Sequence, residues 1–310
     1  MRILITGATG FVGQALVPLL VQQPNVDVTV LVREVYGQVD LRPFPTPLQN
    51  IRAQLNVIYA DLRNFQLTSR AVAEAEPTHV IHLAAVGVTD PFLGLDTALR
   101  HNLNGTLNLL RACFEKRQSA QQLSVEQLIV ARTPGERSSM NVYAASKAAA
   151  WNFCQMYGRT HHWPIHGAMI YQAYGPGQTP RNLVPAAIAA ALAGQDFPTT
   201  RGTQQRDWLF VGDLVAGLWA MLGAALAPAE TLELGSGTTA SVAEVVTQIY
   251  ELVGGEGRPL IGALPSRPGE ETIQLADSQH TFAQINWRAT TSLAAGLAQT
   301  IHSYQTRDTA

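Results

Sequence analysis

Apolar residues follow two alternating textures in the first half of the chain. Short continuous runs occupy residues 2–6, 28–32, 55–60, 79–85, 127–131 and 165–170. Between them, residues 14–21, about 97–116, and the stretch from Tyr143 to about Arg159 carry apolar positions at helical spacing. Buried strands alternating with helices predict an α/β fold, a Rossmann-type doubly wound parallel sheet. Pro43, Pro45 and Pro47 mark a rigid loop between the second and third runs. From Gly175-Pro176-Gly177-Gln178 onward the alternation loosens. Ser241-Val242-Ala243-Glu244 then reads as a capping box that opens a helix to about Val253. The pattern predicts a first domain over 1–170, with 205–237 returning to it. A smaller mixed α/β domain is expected from 171–204 and 238–310, with a substrate pocket between the two.

The first run passes directly into Gly7-Ala8-Thr9-Gly10-Phe11-Val12-Gly13, and a helix follows. Strand, glycine turn and helix are the setting of a dinucleotide fingerprint, in which the glycines let backbone approach a pyrophosphate seated on the helix start. The first domain is therefore expected to bind a dinucleotide. At the end of the second run, where an acidic residue would bond a ribose hydroxyl, stands Arg33. A guanidinium suits a 2′-phosphate and offers no acceptor to a hydroxyl. NADP(H) is therefore favoured over NAD(H), although the neighbouring Glu34 offers an acceptor for the ribose.

Tyr143 and Lys147 lie four residues apart, on one helix face. A phenol near pKa 10 trades protons poorly at neutral pH. A neighbouring ammonium is expected to favour the phenolate, since an opposite charge lowers a pKa by about 1–3 units. Tyr143 then becomes a candidate acid/base toward a carbonyl or alcohol. A hydroxyl that orients the reacting oxygen should follow the fifth run; Thr133 is the candidate, with Ser138 and Ser139 as competitors.

Composition narrows the field further. The chain has 310 residues, 46% hydrophobic and 14% charged, with a formal charge of −2. That describes a globular chain with no electrostatic case for nucleic acid or an anionic membrane surface. No apolar stretch reaches spanning length and no signal peptide is seen. Cys113 and Cys154 read as small buried hydrophobes in a reducing compartment, the cytoplasm. His161, His162 and His166 lack metal-ligand spacing and read as solvated loop residues, so no metal is expected.

These motifs resemble the extended short-chain dehydrogenase/reductase family of nucleotide-sugar epimerases, dehydratases and ketoreductases. Besides the glycine loop and the Tyr143/Lys147 pair, the similarity includes Asp61-Leu62, His82-Leu83-Ala84-Ala85 and Asn102–Leu110. Tyr174–Gly177, Arg206–Asp213, Leu234–Gly237 and Arg267–Glu270 follow in the family's order. The resemblance implies that Asp61, Leu62, Leu83, Ala84, Ala85 and Asn102 help hold the cofactor. It implies that Lys147 holds the nicotinamide ribose and Thr133 the reacting oxygen. Gln172, Asn182, Leu183, Arg206 and Arg267 fall at positions that contact a nucleotide-diphosphate sugar. A homodimer through the long helices is also implied.

The chain departs from the family between Thr133 and Tyr143, where the long loop is cut to Pro134–Val142. Pro134 and Gly135 replace the Asp-Glu that follows Thr in dehydratases, which argues against dehydration. Gln172 stands where the family has a phosphate-binding Asn, and Met169 where an Arg is common. The resulting expectation is hydride transfer at C4 of a nucleotide-linked sugar, best as an NADPH-dependent 4-ketoreductase. An NAD-dependent 4-epimerase and a non-catalytic NADP-binding regulator are the alternatives.

Overall fold

The computed structural model describes residues 1–33, 44–88, 90, 92–115, 125–265 and 271–306. Seven strands form one sheet: β1 (Arg2–Thr6), β2 (Asp27–Val32), β3 (Asn56–Tyr59), β4 (His79–His82), β5 (Gln127–Arg132), β6 (Ile165–Ile170) and β7 (Thr231–Leu234). Their order is β7-β6-β5-β4-β1-β2-β3. Every ladder among β1 to β6 is parallel, with Ile3 opposite both Val28 and His79. Ile3, Leu4 and Ile5 are almost wholly buried. Such burial on both faces turns a parallel strand into a continuous apolar run. The order reverses between β1 and β4, the switch point at which open α/β sheets bind ligands beyond their strand ends.

Four helices position the site: α1 (Phe11–Val21), α2 (Phe65–Ala75), α3 (Gly105–Phe114) and α4 (Val142–His161). Side chains fix two of their starts. Asn64 accepts the N–H groups of Gln66 and Leu67, and Asn141 accepts that of Ala144. The single helix expected over 97–116 is instead a short α-turn, Leu95–Ala98, a π-turn, Leu99–Asn104, and then α3. Leu4, Val80, Leu109, Phe114, Leu128, Trp151 and Trp163 share one core cluster. Within it Phe114 stacks on Trp163 at 4.9 Å, and Trp163 stacks on Tyr157 at 4.2 Å. Each such fully buried apolar side chain stabilises the fold by roughly 1.5–3 kcal/mol. Cys113 and Cys154 are buried and are not joined in a disulfide.

The chain divides into two compact units, Met1–Met169 with Leu218–Leu232, and Ile170–Gly217 with Glu233–Ala310. The segment rejoining the first unit is thus shorter than the 205–237 read from the sequence. Asp207 is a physical reason. Its fully buried carboxylate accepts from Ser236 N (2.6 Å), Ser236 Oγ (2.8 Å), Gly237 N (3.0 Å) and Ala276 N (3.2 Å), which binds it to the second unit. That unit packs Tyr174, Ile188, Trp208, Val245, Ile249 and Leu297 around helices Leu183–Leu192, Val242–Val253 and Leu293–Gln305. The capping box forms as read: Ser241 Oγ accepts Glu244 N at 3.1 Å, and Glu244 Oε2 accepts Ser241 N at 2.6 Å.

Candidate active site

The loop between β1 and α1 is built on two glycines that no other residue replaces. Gly7 has φ +77°, and a Cβ there would lie 2.6 Å from Ala84 N and 2.7 Å from the Leu83 carbonyl carbon. Leu83 and Ala84, past the end of β4, are therefore the floor of the loop, and Ala85 continues it. A Cβ on Gly13 would sit 2.5 Å from Ala8 Cα and from Gly7 O. Gly10 N bonds Gly7 O at 3.0 Å, and no side chain caps α1. The first-turn N–H groups at Phe11, Val12 and Gly13 suit an anion, and the bare backbone of the loop leaves room for a pyrophosphate. The residues present fit a dinucleotide. Beside them Thr9 accepts Gln14 Nε2 through its carbonyl at 2.9 Å.

Arg33 is exposed and follows β2 directly; Glu34 lies outside the described residues. Asp61 follows Ala60 past β3 and is held by Arg63, with Nε–Oδ2 at 2.8 Å and backbone N–Oδ1 at 2.9 Å. Burial pushes the Asp61 carboxyl up, but the hydrogen bonds and charge of Arg63, with His101 behind them, outweigh it and hold the group below the usual range. His101 is itself lowered, by burial first and then by the charges of Arg63 and Arg33. Asp61, Arg63, Asn64, Arg100 and Asn104 line a shallow cavity. Two guanidiniums, of Arg63 and Arg100, thus line the cavity with the Asp61 carboxylate, and the charge of Arg33 reaches His101 beside it. Arg63 and Arg100 were not singled out by sequence. Among the described residues, neither Arg33 nor Arg100 has a carboxylate within 4.0 Å. Leu62 packs its Cβ against Gly105 and accepts Asn108 Nδ2 at 2.8 Å.

Tyr143 and Lys147 occupy successive turns of α4, and Lys147 is 3% exposed. The expected lowering of the phenol by Lys147 does not occur. Burial holds Tyr143 above the ordinary tyrosine range, and the charge of Glu136 pushes the same way. Burial also disfavours the Lys147 ammonium, against the charge of Glu136. Four-residue spacing identified the shared face but not its desolvation, which decides the sign.

Glu136, missed in the sequence, organises the shortened connection. It is 6% exposed and lies on a single 3₁₀ turn, Pro134–Glu136, that packs against α4. Its Oε1 accepts Thr133 N at 3.0 Å, and its Oε2 meets Arg132 Nε at 2.9 Å and Nη2 at 2.8 Å. Arg132 in turn lies 4.4 Å over the Trp151 ring and donates to Thr231 Oγ1 at 2.8 Å. Trp151 is four residues beyond Lys147, so the ion pair runs along the Tyr143–Lys147 face. The opposite charges at 132 and 136, four apart at a strand end, were the available signal. Thr133 is half-buried where β5 ends, whereas Ser138 and Ser139 are exposed.

Residues 3–235 match the NAD dependent epimerase/dehydratase family. The chain belongs to that family. It is accordingly an enzyme of the extended short-chain dehydrogenase/reductase type. A dTDP-glucose 4,6-dehydratase of Neisseria gonorrhoeae is 29% identical over 335 residues, covering 98% of this chain and 95% of that one. The structure is similar to a Thermus thermophilus UDP-glucose 4-epimerase in complex with NAD, with a TM-score of 0.80, 27% identity, and 98% and 99% coverage. A Bacillus cereus UDP-glucuronic acid 4-epimerase in complex with UDP-glucuronic acid and NAD shares the fold at TM-score 0.82 and 22% identity, with 99% and 100% coverage.

Asn102 is fully buried. Its Oδ1 accepts Val86 N at 2.9 Å, and its Nδ2 donates to Val86 O and Ser146 Oγ, both at 3.0 Å. It therefore clamps the segment beyond Ala85 to α4. The expected sugar-nucleotide residues that are described belong to the second unit. Gln172 is exposed, and Asn182 precedes the helix starting at Leu183 without capping it by side chain. Arg206 Nη1 donates to the carbonyls of Gln205 and Glu271, both at 2.9 Å. Arg267 lies outside the described residues. His166 is not solvated: it is buried in β6, with Nδ1 3.1 Å from Ala227 O. Among the described residues no helix is long and apolar enough to cross a membrane.

Proposed function

We propose that the enzyme reduces a 4-keto group on a nucleotide-linked sugar, with NADPH as the preferred cofactor. The observation that carries this reading is Arg33, exposed where β2 ends at the position of a ribose-binding acid, together with Pro134 and Gly135 in place of the dehydratase Asp-Glu. Burial and the charge of Glu136 both favour the phenol form of Tyr143, the form that donates a proton. When bound, the nicotinamide supplies a hydride to C4. Tyr143 gives its hydroxyl proton to the C4 oxygen, Lys147 stabilises the phenolate left behind, and solvent restores the proton. Thr133 is positioned by Glu136 to orient the same oxygen. The loop Gly7–Gly13, over Leu83, Ala84 and Ala85, holds the pyrophosphate. Asp61, Leu62 and Asn102 complete the cofactor side, and Arg33 with Arg63 and Arg100 supports a 2′-phosphate.

In the second unit, Gln172, Asn182, Leu183 and Arg206 are the proposed contacts of the sugar nucleotide, with Arg267 as the remaining candidate. A homodimer through α4 fits the exposure of Phe153 on that helix, and light scattering in solution tests it. A 4-epimerase retaining NAD is the second reading, favoured by the 27% identity to the NAD-bound Thermus enzyme.

The test is to supply dTDP- and UDP-linked 4-keto-6-deoxyglucose with NADPH or NADH and follow nicotinamide oxidation. The reductase reading expects net oxidation, faster with NADPH and lost in Tyr143→Phe. Interconversion of UDP-glucose and UDP-galactose with retained NAD and no net oxidation overturns it in favour of the epimerase.

A further inference from the structure

A buried chain of hydrogen bonds runs from the glycine loop to α4 by way of Asn102 and three residues with no role so far, Thr6, His82 and Thr106. Thr6 Oγ1 lies 2.7 Å from His82 Nδ1, His82 Nε2 lies 2.9 Å from Thr106 Oγ1, and Thr106 Oγ1 lies 2.7 Å from Asn102 O. Thr6, His82, Asn102 and Thr106 are each at most 1% exposed. The direction of every bond follows from counting protons. The Asn102 carbonyl only accepts, so the single hydroxyl proton of Thr106 is committed to it. Thr106 Oγ1 must then accept from His82, which places the imidazole proton on Nε2. A neutral ring carries one such proton, so Nδ1 is the acceptor and Thr6 the donor. Burial first, and then the charge of Lys147, the charged group that faces it, hold His82 neutral down to about pH 3.

At one end of the chain, Thr6 Oγ1 takes Ala84 N at 3.4 Å, the same amide that crowds Gly7. At the other end, Asn102 Nδ2 donates to Ser146 Oγ at 3.0 Å, which donates to Tyr143 O at 2.7 Å. We infer that His82, as the Nε2–H tautomer, is a positioning residue that holds the loop floor at Ala84 and the backbone of Tyr143 in one register. This rests on reading Gly7–Gly13 as the dinucleotide loop and Tyr143/Lys147 as the acid/base pair. A dinucleotide gripped by the loop then meets Tyr143 and Lys147 without reorganisation.

Two measurements test it. In nitrogen-15-labelled protein, long-range proton–nitrogen spectra read both ring nitrogens of His82, assigned by its loss in His82→Gln. The expected ring is protonated at Nε2, bare at Nδ1 and unchanged from about pH 5 to about pH 9. A proton on Nδ1, or a ring that titrates in that window, overturns the inference. The second measurement is calorimetric affinity for NADPH against its adenosine 2′-phosphate 5′-diphosphate fragment, with NADH against ADP in parallel. His82→Phe removes both ring bonds and should weaken the dinucleotide roughly tenfold, with the fragment within about twofold. His82→Gln, which keeps a donor toward Thr106, should recover most of that loss; Thr6→Val and Thr106→Val break one link each with less disturbance to folding. Equal weakening of fragment and dinucleotide, or no weakening of either, overturns the coupling. Failure of wild-type protein to bind any dinucleotide instead removes the cofactor reading and leaves the tautomer measurement standing.

Discussion

Removing Glu136 should cost far more than an ordinary loop substitution. The side chain is 2% exposed and faces Arg132, itself 13% exposed. Taking one partner from a buried ion pair strands the other charge, at about 3–5 kcal/mol. Arg132 keeps Thr231 Oγ1 and the Trp151 ring, so Glu136→Ala belongs near about 3 kcal/mol. For a domain of this size that lowers the melting temperature by roughly 6–12 °C. The assay is thermal and urea unfolding by circular dichroism at neutral pH for wild type, Glu136→Ala, Arg132→Met and the double variant. The double variant should cost clearly less than the sum of the singles, because it strands no charge. A Glu136→Ala loss below about 1 kcal/mol, or strict additivity, would refute the argument, since an exposed pair behaves that way.

Glu136→Gln should also move the chemistry. With the negative charge gone, the Tyr143 phenol loses a proton more readily, so the alkaline limb of the reduction rate shifts to lower pH, which a pH profile reads directly. Tyr143→Phe should lower turnover about 10²–10⁴-fold in steady-state kinetics and leave NADPH affinity nearly intact. Gly7→Ala should abolish NADPH binding in a fluorescence titration, because its Cβ meets Ala84 N at 2.6 Å in a φ +77° backbone. His82 imposes an acid penalty of calculable sign. Its folded pKa of about 3 lies below the ordinary 6.5, so below pH 6.5 the unfolded chain takes a proton that the folded chain refuses. Stability is therefore lost as pH falls through that window, by about 2 kcal/mol at pH 5, and urea titrations of His82→Gln should show a shallower decline.

The six strands β1 to β6 were legible because parallel strands buried on both faces appear as unbroken apolar runs, and the glycine loop because Gly7 and Gly13 answer to backbone alone. The π-turn was not legible. It differs from an α-turn by one residue, and the clamp of Asn102 on Val86 depends on tertiary proximity that periodicity does not encode. Glu136 was hidden for a similar reason. A charged residue between Gly135 and Arg137 reads as a solvated loop position, and only the returning Thr231 and Trp151 enclose its partner. Tyr143 shows a third limit: spacing places two side chains on one face, but the water they lose sets their proton affinities. The boundary of the returning segment turned on Asp207, whose four donors come from 29, 30 and 69 residues away.

The π-turn at Leu99–Asn104 gives this helix an unusual sensitivity to length. Each α-helical residue advances the side chain by about 100°, and the wider turn absorbs a surplus residue before Gly105. Arg100 and Asn104, four residues apart, line the cavity with Asp61, while Asn102 between them turns inward to Val86 and Ser146. Loss of one codon here would restore regular winding and keep the buried side of α3, yet force a choice between those two orientations. Substitution scanning would not expose that choice. Single-residue deletions would, and they offer such enzymes a short genetic route to altering the cavity at Asp61 separately from the geometry around Tyr143.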